Sequence, residues 1–272
     1  IAFSAEYSGS RQVWVIPAEG GTPRQLTWYN DAGVMPPRGG TDHVVLDWTP
    51  DSQRILVRCN RTPWGERMGK YFLVALAGGL ETPLAIPEAG GGSFSPDGGS
   101  IVYTPIEREF RTWKRYRGGR AQDVWIYDLQ QNKSRRLTDF AGTDQHPSWW
   151  GGKVFFVSDR DLTLNIHSYD LASGRVEQVT RHRDDDVLWP SGRGGQLAYE
   201  CGGRLHLLDL ASGQSRRLTV NLNFDNPNTL PAVKPVNGFI ASYDLSPSGK
   251  RAVFEARGDL FTVPEKEGRT VN

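Results

Sequence analysis

An all-β architecture made of recurring four-stranded units follows from three features of this 272-residue chain. Gly and Pro, at 31 and 17 residues, supply more turns than a helical bundle could hold, since helix interiors tolerate neither well. Aromatic and β-branched residues gather in short runs bounded by turn-forming residues, the pattern of strands. One phrase then returns along the chain: a short apolar strand, a Gly-bearing turn, and an ending in Leu-Thr or Val-Thr. Apolar residues, at 38%, suffice for a core, so disorder is excluded. No apolar run approaches the ~18 residues of a membrane span. The balance of 32 basic against 31 acidic residues gives no bulk signal of nucleic-acid binding.

The repeated ending is Gln25-Leu26-Thr27, Arg136-Leu137-Thr138, Gln178-Val179-Thr180 and Arg217-Leu218-Thr219. Before each lies a strand: Val13-Trp14-Val15-Ile16, Val124-Trp125-Ile126-Tyr127, Ile166-His167-Ser168-Tyr169 and Leu205-His206-Leu207-Leu208. The turns between, such as Leu171-Ala172-Ser173-Gly174 and Leu210-Ala211-Ser212-Gly213, make each pair a hairpin. A second hairpin precedes it. Its turn is Thr49-Pro50-Asp51-Ser52, Ser95-Pro96-Asp97-Gly98 or Ser246-Pro247-Ser248-Gly249, shortened to Gly151-Gly152 and Gly192-Arg193-Gly194-Gly195 elsewhere. Pro at the first corner with Asp or Gly behind it is tight-turn chemistry. Two hairpins make four strands per unit. Units of this length and strand number predict a six-bladed β-propeller of four-stranded antiparallel blades. Blades are expected near 1–28, 43–86, 91–138, 146–180, 187–219 and 239–272, the first lacking its innermost strand and the others complete. A β-sandwich would not repeat a four-strand phrase. An α/β fold would need helical stretches that the chain does not contain.

Little reads as chemistry. Gly-x-Ser-x-Gly elbows, His-Glu-x-x-His and phosphate-binding loops are absent, so no catalytic centre and no cofactor is expected in these residues. Cys59 and Cys201, far apart in strand contexts, read as small buried residues rather than as a metal site or disulfide framework. His167 and His206 stand where Trp125 stands in its own unit, which points to structural roles. Asp184-Asp185-Asp186 would point alternately to opposite faces of an extended chain, the arrangement of a solvated loop rather than a metal site.

Binding is expected where the long loops emerge. In an up-and-down blade, the connections after the second and fourth strands share one rim. That rim receives residues 28–42, 60–70, 104–122, 139–146 and 220–238, whereas the other carries only tight turns. Loops 60–70 and 104–122 are basic and aromatic, with Arg61, Trp64, Arg67, Arg111, Trp113, Lys114, Arg115, Tyr116, Arg117 and Arg120. Arg offers planar bidentate pairing to a carboxylate, and aromatic rings offer stacking area. The rim therefore reads either as a receiver of peptide-like or anionic groups or as a fastener to a neighbouring domain or subunit. In the second reading Trp113 and Tyr116 are the anchors.

The Ser-Pro-Asp-Gly turn and Arg-Leu-Thr ending resemble repeats of the Tol-system periplasmic propeller and of prolyl-oligopeptidase-like peptidases. More specifically, Trp113-Lys114-Arg115-Tyr116-Arg117-Gly118-Gly119 resembles the long insertion in the N-terminal six-bladed propeller of tricorn proteases. That resemblance implies a non-catalytic propeller in a larger serine peptidase. The relatives add a second propeller, a PDZ domain and a core with the catalytic Ser and His. It also implies a passage that gates or guides oligopeptides and holds their C-termini through basic residues. Archaeal members carry two adjacent arginines in the loop entering the third blade, and the corresponding residues 35–40 here hold Arg38. Expected partners are oligopeptides, the adjacent propeller and catalytic domains, and further copies of the chain, with no nucleic acid and no membrane span. The expected compartment is the cytoplasm, with the periplasm second. Residues 241–247 resemble the opening blade of the second tricorn propeller, so 239–272 either closes this ring or opens another. The alternative from a different class is a stand-alone protein-interaction propeller like the Tol-system protein.

Overall fold

The computed structural model describes residues 1–29, 43–61, 69–106, 115–221 and 230–272, which divide into two compact units, Ile1–Thr219 and Val220–Asn272. The first unit contains five antiparallel sheets. Sheet one has three strands, β1 (Ala2–Ala5), β2 (Gln12–Val15) and β3 (Arg24–Gln25). Sheet two is β4 (Val44–Trp48), β5 (Arg54–Cys59), β6 (Lys70–Ala75) and β7 (Thr82–Pro83). Sheet three is β8 (Gly92–Phe94), β9 (Ser100–Tyr103), β10 (Trp125–Asp128) and β11 (Lys133–Arg136). Sheet four is β12 (Asp144–Trp150), β13 (Lys153–Asp161), β14 (Thr163–Asp170) and β15 (Val176–Gln178). Sheet five is β16 (Val187–Arg193), β17 (Gln196–Cys201), β18 (Arg204–Asp209) and β19 (Ser215–Arg217). In every sheet the strands lie side by side in chain order.

Consecutive sheets pack face to face, which explains why the second strand of a unit is apolar without alternation. Ile55, Leu56 and Val57 are all fully buried. Ile55 and Val57 meet Val13 and Leu26 of sheet one, while Leu56 points the other way to Phe94 and Ile101 of sheet three. The same division recurs in β13, where Val154 and Phe156 face sheet three and Phe155 and Val157 face sheet five. Each such side chain contributes roughly 1.5–3 kcal/mol by leaving water. Cys59 and Cys201 lie buried within these strands and form no disulfide among the described residues.

Short-range hydrogen bonds explain the repeat grammar. In the turn after β8, Ser95 Oγ donates to Asp97 Oδ1 (2.6 Å) and accepts from the Ser100 amide (2.9 Å), and Asp97 Oδ1 also accepts from Gly99 (3.0 Å). Thr49, Asp51, Arg54 and Gln53 reproduce those bonds after β4. Donation from Ser95 and Thr49 holds the carboxyls of Asp97 and Asp51 below the usual carboxylate range. The third corner needs a left-handed residue: Ser52 at φ 59°, Gly98 at 75° and Gly249 at 69° fill it.

The Leu-Thr ending extends the outer ladder by side chain. The Leu26, Leu137 and Val179 amides donate to the Val13, Val124 and Ile166 carbonyls. The hydroxyls of Thr27, Thr138 and Thr180 then accept from the amides of those same three residues (3.0, 3.0 and 2.8 Å). Thr27 and Thr180 donate onward to Gln12 Oε1 and Asn165 Oδ1, the residues just before Val13 and Ile166. The fourth ending differs: Leu218 keeps its amide bond to Leu205, but Thr219 is exposed.

The second unit holds one sheet, β20 (Ile240–Leu245), β21 (Arg251–Ala256) and β22 (Asp259–Pro264), preceded by a 3-10 turn at Asn237–Phe239. Every residue of β20 is exposed. Residues 239–272 were expected to carry four strands, and this is corrected to three plus one bridge, Thr262 with Val271. The chain swings away through Gly268, at φ 128°, and meets β22 again only at that bridge. The Arg251 guanidinium takes the Thr262 carbonyl and hydroxyl and the Arg269 carbonyl, filling the edge where a longer strand would pair.

Candidate functional site

Arg38, Arg111, Trp113 and Lys114 fall outside the described residues, as do Trp64 and Arg67. Arg115, Tyr116 and Arg117 are described. Arg115 sits in the left-handed region at φ 57°, and its amide donates to Asp159 Oδ2 at 2.7 Å. Asp159 is 3% exposed and accepts the Thr143 amide on its other oxygen at 2.8 Å. This buried carboxylate therefore fastens the end of the insertion to β13. The Arg115 guanidinium spends its donors on the Leu162 carbonyl (3.2 and 3.4 Å). Tyr116, half-buried, lies over Gly118, where any added Cβ would strike the phenol ring. Arg117 and Arg120 are exposed.

Other cations at the long-loop end of the first unit are also occupied. Arg61 forks onto Glu81 (2.7 and 3.1 Å), reaches His43 Nε2 (3.0 Å), and lies between the rings of Tyr29 and Phe72. Arg160 forks onto Asp144 (2.9 and 3.0 Å), bonds Ser158 Oγ, and stacks over Phe140. His167 is buried between Asp161 and the Asn165 carbonyl, and burial pushes its pKa down. Asp186 accepts the Leu164 amide at 2.8 Å.

The opposite, short-turn end holds a site that the sequence reading did not single out. The innermost strands β4, β8, β12 and β16 face a common space, with one cavity of about 240 Å³ at the turns and another of about 180 Å³ behind it. Asp47, Ser93, Ser148 and Gly192 line both, so the two adjoin. Trp48, Trp149, Trp150 and Phe94 are among the residues that line the outer cavity, and the three tryptophans also pack against three separate inter-sheet cores. Asp47 bridges two sheets: its carboxylate accepts Ser93 Oγ (2.8 Å), the Phe94 amide (2.8 Å) and the Trp48 amide (2.7 Å). Burial raises its pKa, and those donors and the Arg193 charge oppose the rise. Arg193 Nη2 donates to the carbonyls of Thr49 (3.2 Å) and Pro50 (3.0 Å), linking the turn of sheet five to that of sheet two.

In the inner cavity the strands are bulged where they meet it, between Val45 and Asp47, Gln145 and Ser148, and Leu188 and Ser191. His146 and Trp189 occupy two of these bulges with φ of 51° each, and their rings meet edge to face at 5.5 Å. For a residue as bulky as Trp this backbone is an outlier, and Trp189 holds it while 53% exposed. Sequence did offer one signal. His146-Pro147-Ser148 and Trp189-Pro190-Ser191 repeat an x-Pro-Ser phrase at equivalent places.

The comparisons with known proteins agree on the architecture. Residues 1–214 match the tricorn protease N-terminal β-propeller domain. The tricorn protease homolog 1 of Streptomyces coelicolor is 30% identical over 227 residues, 82% of this chain and 20% of that protein. The tricorn protease homolog of Saccharolobus solfataricus is 22% identical over 276 residues, 100% of this chain and 24% of that protein. The chain thus spans about a fifth to a quarter of the length of these relatives. Among solved structures, tricorn protease superposes with a TM-score of 0.69 at 19% identity, covering 96% of this chain and 25% of its own. TolB from Acinetobacter baumannii gives 0.57 at 19% identity, covering 99% and 64%. With a family match over residues 1–214 and five sheets of antiparallel strands beneath it, this chain belongs to the tricorn protease N-terminal β-propeller family.

Proposed function

We propose that this chain is the non-catalytic propeller part of a tricorn-like serine peptidase, and that it guides or gates oligopeptides to or from a catalytic core elsewhere in the protein. The observation that carries this reading is the pair of adjoining cavities between β4, β8, β12 and β16, lined by tryptophans and small polar residues. Aromatic walls give sequence-tolerant contact area, and serines give adaptable hydrogen bonds, a combination suited to passing many sequences loosely. The six-bladed ring is part of the same reading. The sheets at 2–25, 44–83, 92–136, 144–178 and 187–217 supply five of its blades and recur in the blade phrasing of the sequence. The sheet β20–β22 fits best as the opening of a second propeller, because the family match ends at 214 and the compact first unit ends at Thr219. A cytoplasmic setting suits two cysteines that are in no disulfide among the described residues.

The test is photo-crosslinking with an oligopeptide bearing a central benzophenone residue, followed by mass-spectrometric mapping. Adducts on β4, β12 or β16, suppressed by excess unlabelled peptide, are expected. The chain should leave the peptide uncut. Labelling confined to other surfaces would end the passage reading.

A further inference from the structure

The outer cavity has a composition that a passage alone does not require. Its described lining includes two formal charges, Asp47 and Arg193, and they are not equivalent. Asp47 is saturated by three donors from Ser93, Phe94 and its own neighbour Trp48. Arg193 spends only Nη2, on two neutral carbonyls, so Nε and Nη1 make no hydrogen bond among the described residues. A guanidinium has five N–H donors, and its bonds to a carboxylate are about twice as strong as its bonds to neutral acceptors. Three tryptophans from two other sheets, Trp48, Trp149 and Trp150, line the same cavity. Trp149 Nε1 already donates to the Gly151 carbonyl at 3.1 Å, so it is not a free donor for an occupant. At about 240 Å³ the space lies just under the roughly 300 Å³ of a drug-sized pocket, which sets the occupant near the size of one aromatic amino acid.

We propose that the short-turn mouth is a binding site for a monocarboxylate with an apolar or aromatic body, held by the Arg193 guanidinium at its acid end and by Trp48, Trp149 and Trp150 along its body. The chemistry selects in three ways. An amide or ester in place of the carboxylate forfeits the charge-assisted bonds. A second carboxylate meets the buried charge of Asp47. A short aliphatic acid leaves the indoles uncovered. The site lies on turns and innermost strands, and its lining includes neither Arg115 nor Arg117. It stands on this geometry whether or not peptides traverse the space behind it. The carboxylate could come from a free aromatic acid or from the last residue of a peptide.

Indole fluorescence of the full 272-residue chain reads the site directly, because three of its 9 tryptophans form the wall. The ligands are N-acetylphenylalanine, its amide, and a pentapeptide ending in Phe as free acid and as amide. The acids should bind at least tenfold more tightly than the matching amides. Arg193→Ala should erase that preference, Arg193→Lys should restore part of it, and Trp149→Ala should weaken acid and amide together. A preference seen with both acids assigns the site to the small acid. A preference seen only with the pentapeptide assigns it to a peptide terminus. Equal binding of acid and amide by the unmodified chain, no binding of any ligand, or a preference that survives in a folded Arg193→Ala variant overturns the proposal. Crosslinking of peptides between the strands without any acid preference would overturn this site and leave the passage reading intact.

Discussion

The two ends of the first unit carry similar residues and use them in opposite ways. At the long-loop end, Arg61, Arg115 and Arg160 turn their charge inward onto Glu81, the Leu162 carbonyl and Asp144. At the short-turn end, Arg193 keeps most of its donors for whatever enters the cavity. Long basic loops invite a binding interpretation, yet a long connection must first be held, since ordering each residue costs roughly 1–2 kcal/mol. Tight turns need no such help, which leaves their side chains at liberty. The lesson concerns where to look for function: a cation on a long loop is judged by what its own fold already asks of it.

The sharpest way to break this contrast is to remove a partner at each end. The Arg61 and Glu81 side chains are only 14% and 10% exposed. Glu81→Ala leaves a guanidinium buried between two rings without its carboxylate, and should destabilise the unit by about 3 kcal/mol. In a thermal melt that is a loss of roughly 6–12 °C. Arg193→Ala gives up two exposed bonds to neutral carbonyls and should cost less than about 1 kcal/mol. Equal losses from the two substitutions would show that both ends are structural.

A second measurement asks whether Asp159 fastens the insertion. Asp159→Asn keeps the shape but replaces one acceptor oxygen with a donor facing the Arg115 or Thr143 amide. The expected cost is about 2 kcal/mol. Amide exchange at Arg115 and Thr143 should accelerate well beyond that at Val154 or Phe156 in the core. Unchanged protection at Arg115 would place the fastening elsewhere, with Trp113 the first candidate to examine.

Smaller still is the threonine effect, which compares repeats at the same end. Thr180→Val removes a hydroxyl that accepts the Ile166 amide and donates to Asn165, at an expected cost of about 1 kcal/mol. Thr219→Val, at the exposed fourth ending, should be neutral within about 0.5 kcal/mol. The repeat predicts equal roles for these residues and the structure does not, so matched losses would favour the sequence.

That threonine also marks what was legible. Turn chemistry and Leu-Thr endings announced the hairpins because their hydrogen bonds close within about five residues or across one hairpin. The cavity was not legible, because its wall assembles from β4, β8, β12 and β16, each contributing two or three residues from a separate sheet. Arg193 read only as part of a Gly-rich turn, and Trp149 and Trp150 as strand residues. Arg115 was singled out for its charge, yet its backbone amide and the unremarked Asp159 do the fastening.

The least of the expected effects turns on a charge at the head of β10. Gln12 and Asn165 hold equivalent places in sheets one and four, just before Val13 and Ile166, and their neutral amides accept the hydroxyls of Thr27 and Thr180. Sheet three has Asp123 at this position, with Thr138 opposite. One carboxylate oxygen of Asp123 is buried without a partner, while the other meets Arg136 at 2.7 Å. Burial pushes the Asp123 pKa up to about 6, aided by the charges of Asp144 and Asp139 and opposed by Arg136. A raised carboxylate pKa means that the folded chain holds the proton more tightly than the unfolded one. The stability this provides is present at low pH and is lost as pH rises from the ordinary carboxylate value toward about 6. Asp123→Asn restores the amide of the other sheets and abolishes the titration. The variant should melt with the parent near pH 4 and about 1 kcal/mol above it at pH 7, roughly 2–4 °C, after allowing for solvent screening of the half-exposed Arg136. A melting difference that stays flat from pH 4 to 7, or that runs against the variant at pH 7, would mean that the pair with Arg136 outweighs burial. Asp123 would then join Glu81 and Asp144 as a carboxylate that the long-loop end needs charged.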